Sequence, residues 1–258
     1  MAFAPLDLSG RTAVVIGGTT GIGRALTHGL AQAGADVVPT SRRKDAVDEA
    51  AALVEATGHR TLRVTTDVGD EASIASLLAA VIGEFGKVDI LVNCAGKTKR
   101  TPTLELTDRE WNDILETNLT GTLRACRLFG RHMIDRRYGR IINIASLTSF
   151  VSMMEVAAYS ASKSAVASLT RSLAVEWSQH GVMVNAIAPG VFRTALNQAL
   201  LDTTPRGQEL LMRTPMRRFG DVSELAGAAV FLASEAASFV TGHVLAVDGG
   251  FLASGVNA

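Results

Sequence analysis

Thr12-Ala13-Val14-Val15-Ile16-Gly17-Gly18-Thr19-Thr20-Gly21-Ile22-Gly23 is a short β-rich run that breaks into glycines, and residues 24–33 then continue with apolar side chains at helical spacing. Strand, glycine loop and helix in that order let backbone approach a pyrophosphate, while the helix N-terminus offers free N–H groups and a partial positive charge. The spacing is G-x-x-x-G-x-G rather than G-x-G-x-x-G. Gly17, Thr19, Thr20, Gly21, Ile22 and Gly23 are therefore candidates for a phosphate-binding turn that lies outside the generic fingerprint. A glycine-rich turn without a ligand is the plainer alternative.

Outward from this unit the pattern repeats. Residues 36–40 read as a second strand running into Ser41-Arg42-Arg43. Folds of this kind that bind NAD often carry an acid there for the ribose 2′-hydroxyl, whereas an arginine accommodates the 2′-phosphate of NADP. Two guanidiniums beside a small serine, with no acid, favour NADP over NAD. The alternative is that both arginines are solvated charges at a helix start. Helix 45–57, strand 62–66, helix 71–85 and strand 88–92 continue the alternation, which implies right-handed crossovers and a parallel sheet with helices on both faces. The expected fold is α/β, a single doubly wound sheet of about seven strands. Asp67-Val68 and Asn93-Cys94-Ala95-Gly96 fall at carboxyl strand ends, where such sheets bind ligands. Asp67 could accept from an adenine amino group and Ala95 and Gly96 leave room for ribose; turn chemistry would also explain them.

Further along, Thr107-Asp108-Arg109-Glu110 has the capping-box pattern and opens a long helix to about residue 134. Asn118, three residues before Gly121, costs helix stability and suggests a local distortion there, or else a plain buried amide. The apolar run 140–145 leads to Ser146, and Tyr159-Ser160-Ala161-Ser162-Lys163 begins another helical segment. Tyr159 and Lys163 should share one face. An ammonium one turn away favours the phenolate, so Tyr159 could act as a general acid or base with Lys163 holding its pKa down, and Ser146 could donate to a substrate oxygen. A half-buried packing tyrosine is the alternative. Strand 182–188 leads into Pro189-Gly190-Val191-Phe192-Arg193-Thr194, and no strand pattern follows as far as Gly220. A connection that long is usually a lid or binding loop, here about 190–220. Asp221-Val222-Ser223-Glu224 caps a helix through residue 233, and residues 242–250 form a last strand and turn.

At 258 residues and 47% hydrophobic content, the chain can bury one sizeable core, so a single domain over 1–258 is expected. Formal charge is zero, which argues against a nucleic-acid partner. Cys94 and Cys126 show neither metal-ligand spacing nor a disulfide framework. No apolar run approaches the roughly 18 residues of a membrane span, and the first residues lack a signal-peptide pattern. A cytoplasmic protein without a membrane partner is expected.

The chain resembles the short-chain dehydrogenases/reductases over essentially its whole length. Their glycine motif T-G-x-x-x-G-I-G is met at Gly17, Gly21, Ile22 and Gly23 with Ile16 in place of the threonine, and N-N-A-G is met at Asn93, Ala95 and Gly96 with Cys94 in place of the second asparagine. The resemblance implies a Rossmann-type fold and a catalytic tetrad of Asn118, Ser146, Tyr159 and Lys163. In it Ser146 and Tyr159 hold the substrate oxygen, Tyr159 passes the proton, Lys163 binds the nicotinamide ribose and Asn118 positions a water. Pro189, Gly190, Val191 and Thr194 would join the NADP site together with Ser41, Arg42, Arg43, Asp67, Val68, Asn93, Ala95, Gly96, Tyr159 and Lys163. No metal is required.

Within the family, the runs 110–113, 213–220 and 247–252 look like the gluconate 5-dehydrogenase branch, implying interconversion of a secondary alcohol and a ketone on a sugar acid or polyol such as gluconate and 5-ketogluconate. Ser146, Met153, Tyr159 and Arg193 are the candidate substrate contacts. Lys97, Lys99, Arg100 and Arg193 could form a cationic rim suited to a carboxylate, or be solvated charges. Phe150, Met153, Met154 and Phe192 could line the pocket. The alternatives are a 3-oxoacyl-acyl-carrier-protein reductase, and a non-catalytic NADP-binding sensor or scaffold. The resemblance also implies a homotetramer built on the helices starting near Thr107 and Ala157 and on the last strand.

Overall fold

The computed structural model describes residues 4–194 and 197–255. Its centre is a parallel six-stranded sheet in the order β2-β1-β3-β4-β5-β6, formed by β1 (Thr12–Ile16), β2 (Asp36–Thr40), β3 (Ile90–Asn93), β4 (Gly139–Ile144), β5 (Val182–Pro189) and β6 (Val244–Val247). Alternate residues of each strand enter opposite layers. Ala13 and Val15 pack with Leu26 and Leu30 of α1 (Gly21–Gln32) and with Ala229 and Leu232 further along the chain. Val14 and Ile16 pack with Leu77 and Val81 of α3 (Glu71–Phe85), behind α2 (Lys44–Glu55) in chain order, and with Phe129 and Met133. Both faces of the sheet are thus covered, which explains why its strands are mostly apolar and why the polar residues within them, such as Asn93 and Asn143, bond one another in the core.

The sheet has six strands rather than about seven, because residues 62–66 do not pair as a strand. That stretch still lies along β2: the Val37 N–H donates to the Arg60 carbonyl at 3.1 Å, and the Thr66 N–H donates to the Ser41 carbonyl at 3.0 Å. Between those two contacts, on the same side of β2, sits Pro39, which has no N–H to donate. The ladder loses its middle rung there.

The remaining helices follow the sequence closely. Thr107 and Glu110 form the expected reciprocal capping box at the start of α4 (Asp108–Leu115). The long helix is then interrupted by a π-helical stretch at Glu116–Thr120 before α5 (Gly121–Asp135), and the Gly121 N–H reaches back to the Glu116 carbonyl. The distortion expected around Asn118 is present. Tyr159 and Lys163 lie in α6 (Ala157–Trp177). The segment expected as a lid holds two short helices, α7 (Gln198–Thr203) and α8 (Pro205–Met212), the second capped by the Thr204 side chain on the Gly207 N–H. Its two ends are pinned together by a bridge between Phe192 and Gly220. A second reciprocal box at Asp221 and Glu224 precedes α9 (Ala226–Ala233). No helix among the described residues is long and apolar enough to cross a membrane.

Candidate active site

The strand order changes direction between β1 and β3, and the glycine loop is pressed into that gap. Gly17 has φ of 81°, and a Cβ there would sit 2.5 Å from the Ala95 nitrogen. A Cβ on Gly23 would fall 1.9 Å from the Gly17 carbonyl oxygen, so the first turn of α1 lies directly on the loop. The N–H groups of Gly17 and Gly18 both donate to the Thr40 carbonyl, at 2.8 and 3.2 Å, which ties the turn to the end of β2. Thr20, the N-cap of α1, makes no side-chain capping bond, so the first-turn N–H groups beside Gly21 and Ile22 keep their valence for a ligand. The Thr19 hydroxyl bonds Ser41 at 3.0 Å and draws the loop beside the arginine pair. Arg42 is exposed and makes no ion pair or hydrogen bond with the described residues, while Arg43 stands 3.4 Å from Asp45. Close backbone approach, available donors and a free guanidinium at the end of β2 fit a dinucleotide with a 2′-phosphate.

Other expected cofactor contacts surround the same crevice. The Thr194 methyl lies 3.7 Å from where a Gly21 Cβ would be, and Gly190 is held by its N–H to the Val247 carbonyl at 2.8 Å. Asp67 is exposed, and its carboxylate accepts from the Gly69 N–H at 2.9 Å as a turn residue would. Val68 packs against Gly121. The Asn93 side chain faces away from the crevice, donating to Asn143 at 2.9 Å inside the core.

The proposed tetrad converges on the far wall. Lys163 Nζ lies 5.8 Å from the Tyr159 ring centroid, so the two do share a face of α6. A Cβ on Gly96 would fall 3.6 Å from Lys163 Nζ and 3.3 Å from Asn118 Oδ1, placing both beside the β3 end of the crevice. Lys163 is only 5% exposed and donates to the Ile144 carbonyl at 2.7 Å. Burial lowers its pKa to about 8. Tyr159 is also shifted by burial, upward from 10, against the opposing effect of a hydrogen bond with the Ser146 hydroxyl. The expectation that Lys163 holds the phenol down is therefore not met in this structure. The ammonium engages a backbone carbonyl, and loss of water around the phenol outweighs its hydrogen bond. The neutral phenol is the form that a ketone reduction consumes.

Asn118 is fully buried, and both polar atoms of its side chain are engaged. Nδ2 donates to the Lys97 carbonyl at 2.9 Å and to the Ser162 hydroxyl at 3.0 Å, and Oδ1 accepts from the Lys97 N–H at 2.8 Å. The Ser162 hydroxyl in turn donates to the Tyr159 carbonyl at 2.7 Å. The π-helical stretch thereby fixes both the loop after β3 and the first turn of α6.

The cationic rim is largely neutralised. Lys97 pairs with Asp113, Lys99 with Glu110, Arg100 with Glu155, and Arg193 with Asp202 at 2.6 Å. Phe192, expected in the pocket, is buried in the core at 6% exposure, whereas Phe150 and Met154 are exposed and Met153 is half-buried.

The model of the family described as "Enoyl-(Acyl carrier protein) reductase" matches residues 17–252. Gluconate 5-dehydrogenase of Gluconobacter oxydans (strain 621H) is 40% identical over 248 residues, covering 96% of this chain and 97% of that protein. The chain belongs to the short-chain dehydrogenase/reductase family. It is similar to the 2-dehydro-3-deoxy-D-gluconate 5-dehydrogenase of Bacillus subtilis (strain 168), at 44% identity over 246 residues, 95% of this chain and 96% of that one. A crystal structure of a gluconate 5-dehydrogenase from Burkholderia cenocepacia J2315 in complex with NADP and tartrate matches at a TM-score of 0.94 and 37% identity, covering 99% of this chain and 100% of the other. This short-chain dehydrogenase/reductase is an oxidoreductase acting on CH–OH groups.

Three parts of the site escaped the sequence reading. Ser162 links Asn118 to Tyr159, and its only signal is a serine on the buried face of α6. Asn143 and Thr170 brace the active-site wall through a 3.0 Å bond between β4 and α6. Glu155, with φ of 65°, holds a left-handed turn just before α6 by accepting from Arg100 Nε at 3.0 Å. Nothing local marks the last as a left-handed position.

Proposed function

We propose that the protein interconverts D-gluconate, or a closely related sugar acid, with its 5-keto form, using NADP. The observation that carries this reading is the near full-length similarity to two enzymes named for oxidation at carbon 5 of a gluconate. Gly17, Thr19, Gly21, Ile22 and Gly23 would hold the pyrophosphate and Ser41, Arg42 and Arg43 the 2′-phosphate, supported by the available N–H groups of α1 and by the unpaired Arg42. Bound there, NADP supplies the hydride acceptor or donor. Ser146 and Tyr159 hold the reacting oxygen, and Tyr159 exchanges its proton with that oxygen. Lys163 holds the ribose side of the crevice. Asn118 acts by fixing Lys97 and Ser162, which keeps both walls in register.

The chain is a single domain in this reading, and residues 190–220 close over the substrate as a lid. Assembly as a homotetramer agrees with β6 lying at the sheet edge and with Val175 of α6 being 80% exposed, and light scattering checks it. A second reading, a 3-oxoacyl-acyl-carrier-protein reductase, is favoured by the exposed apolar Phe150 and Met154 in the segment between Ser146 and Tyr159. Assaying D-gluconate with NADP against an acetoacetyl thioester with NADPH separates the two. Higher kcat/KM on gluconate is expected, and turnover of the thioester alone overturns the proposal.

A further inference from the structure

The four cations named as a rim are each matched by an acid, so the rim as a whole attracts an anion only weakly. One further arginine differs. Arg206, in the first turn of α8, is half-buried and makes no ion pair among the described residues. Its Nη1 donates to the Met154 carbonyl at 3.0 Å. Met154 lies in the loop that ends in α6, five residues before Tyr159. The contact therefore sets the guanidinium of the lid helix against the loop that enters α6, the helix that carries the proton donor.

Two physical points make this placement informative. The first turn of a helix is its positive end, where a cation is disfavoured, so Arg206 does not stabilise α8. The first turn of α8 holds no acidic residue to offset it. A guanidinium also carries five N–H donors in a planar fork, and the Met154 carbonyl accepts from only one of its nitrogens. Such a fork matches a carboxylate with two parallel hydrogen bonds.

We propose that Arg206 receives the carboxylate of the substrate, selecting hydroxy acids over neutral polyols while Ser146 and Tyr159 act on a carbon remote from that carboxylate. The inference deepens the sugar-acid reading above and rests on it. Arg206 is thus a specificity residue supplied by the lid, held by its Met154 contact beside the loop that enters α6.

The test compares D-gluconate with the neutral D-gluconamide, using NADP, in the full-length wild type, Arg206→Gln and Arg206→Lys. Losing a charge-assisted bidentate contact should cut the acid-over-amide preference in kcat/KM roughly 10- to 100-fold in Arg206→Gln, mainly through KM for the acid, with Arg206→Lys in between. If Arg206→Gln lowers both substrates equally, the residue only latches the lid to Met154 and the proposal fails while the sugar-acid reading stands. An unchanged preference overturns it in the same way. A wild type that turns over the amide as well as the acid overturns the proposal, and one that turns over neither overturns both the proposal and the reading on which it rests.

Discussion

Replacing Lys163 by methionine should raise the stability of the protein at neutral pH while abolishing its activity, and the effect should reverse in alkali. The side chain is 5% exposed, and burial lowers its pKa from 10.5 to about 8. That fall corresponds to about 3 kcal/mol of penalty for carrying the charge when folded. The sign follows from proton counts. Between about pH 8 and 10.5 the unfolded chain holds a proton on Lys163 that the folded chain has released, so wild-type stability rises with pH across that window. Below about pH 8 the full penalty applies. Methionine removes the charge but also the donor to the Ile144 carbonyl, a loss of about 1–3 kcal/mol. Lys163→Met should therefore be about 0–2 kcal/mol more stable than wild type near pH 7 and about 1–3 kcal/mol less stable above pH 10.5. Urea unfolding of both proteins across that range, with matched m-values, measures the difference directly. A difference that does not change with pH would refute the idea that a buried charge is held there.

Two more perturbations bear on the cofactor side. Gly23→Ala places a methyl 1.9 Å from the Gly17 carbonyl oxygen, and backbone cannot step aside there, so stability should fall by about 1–3 kcal/mol and NADPH affinity at least tenfold by fluorescence titration; wild-type affinity would contradict the close approach. Arg42→Ala should weaken NADPH by roughly 10- to 100-fold and NADH far less, since only the former carries a 2′-phosphate. Equal losses would show that Arg42 meets no phosphate.

Much of this architecture was legible because its signals are local. The run from Thr12 to Gly23, the capping pairs Thr107/Glu110 and Asp221/Glu224, and the misfit of Asn118 and Gly121 in a helix all depend on neighbours within a few residues. What was misjudged depends on distant partners. The stretch at 62–66 has strand composition, yet its pairing fails at Pro39, more than twenty residues away. The rim cations looked free because Asp113, Glu110, Glu155 and Asp202 meet them only in three dimensions. The raised Tyr159 pKa likewise reflects burial by the fold as a whole, against which a neighbouring lysine in sequence says little. Arg206 sits in a segment whose sequence carries no strand pattern, and only its contact with Met154 draws attention to it.

Proton transfer in the proposed reaction depends on one hydroxyl. Tyr159→Phe keeps the ring and its packing but removes the proton that would reach the substrate oxygen. Oxidation of NADPH by 5-keto-D-gluconate should then slow by roughly 10²- to 10⁴-fold while NADPH binding stays within about twofold of wild type. A variant that retains near-normal turnover would contradict the account.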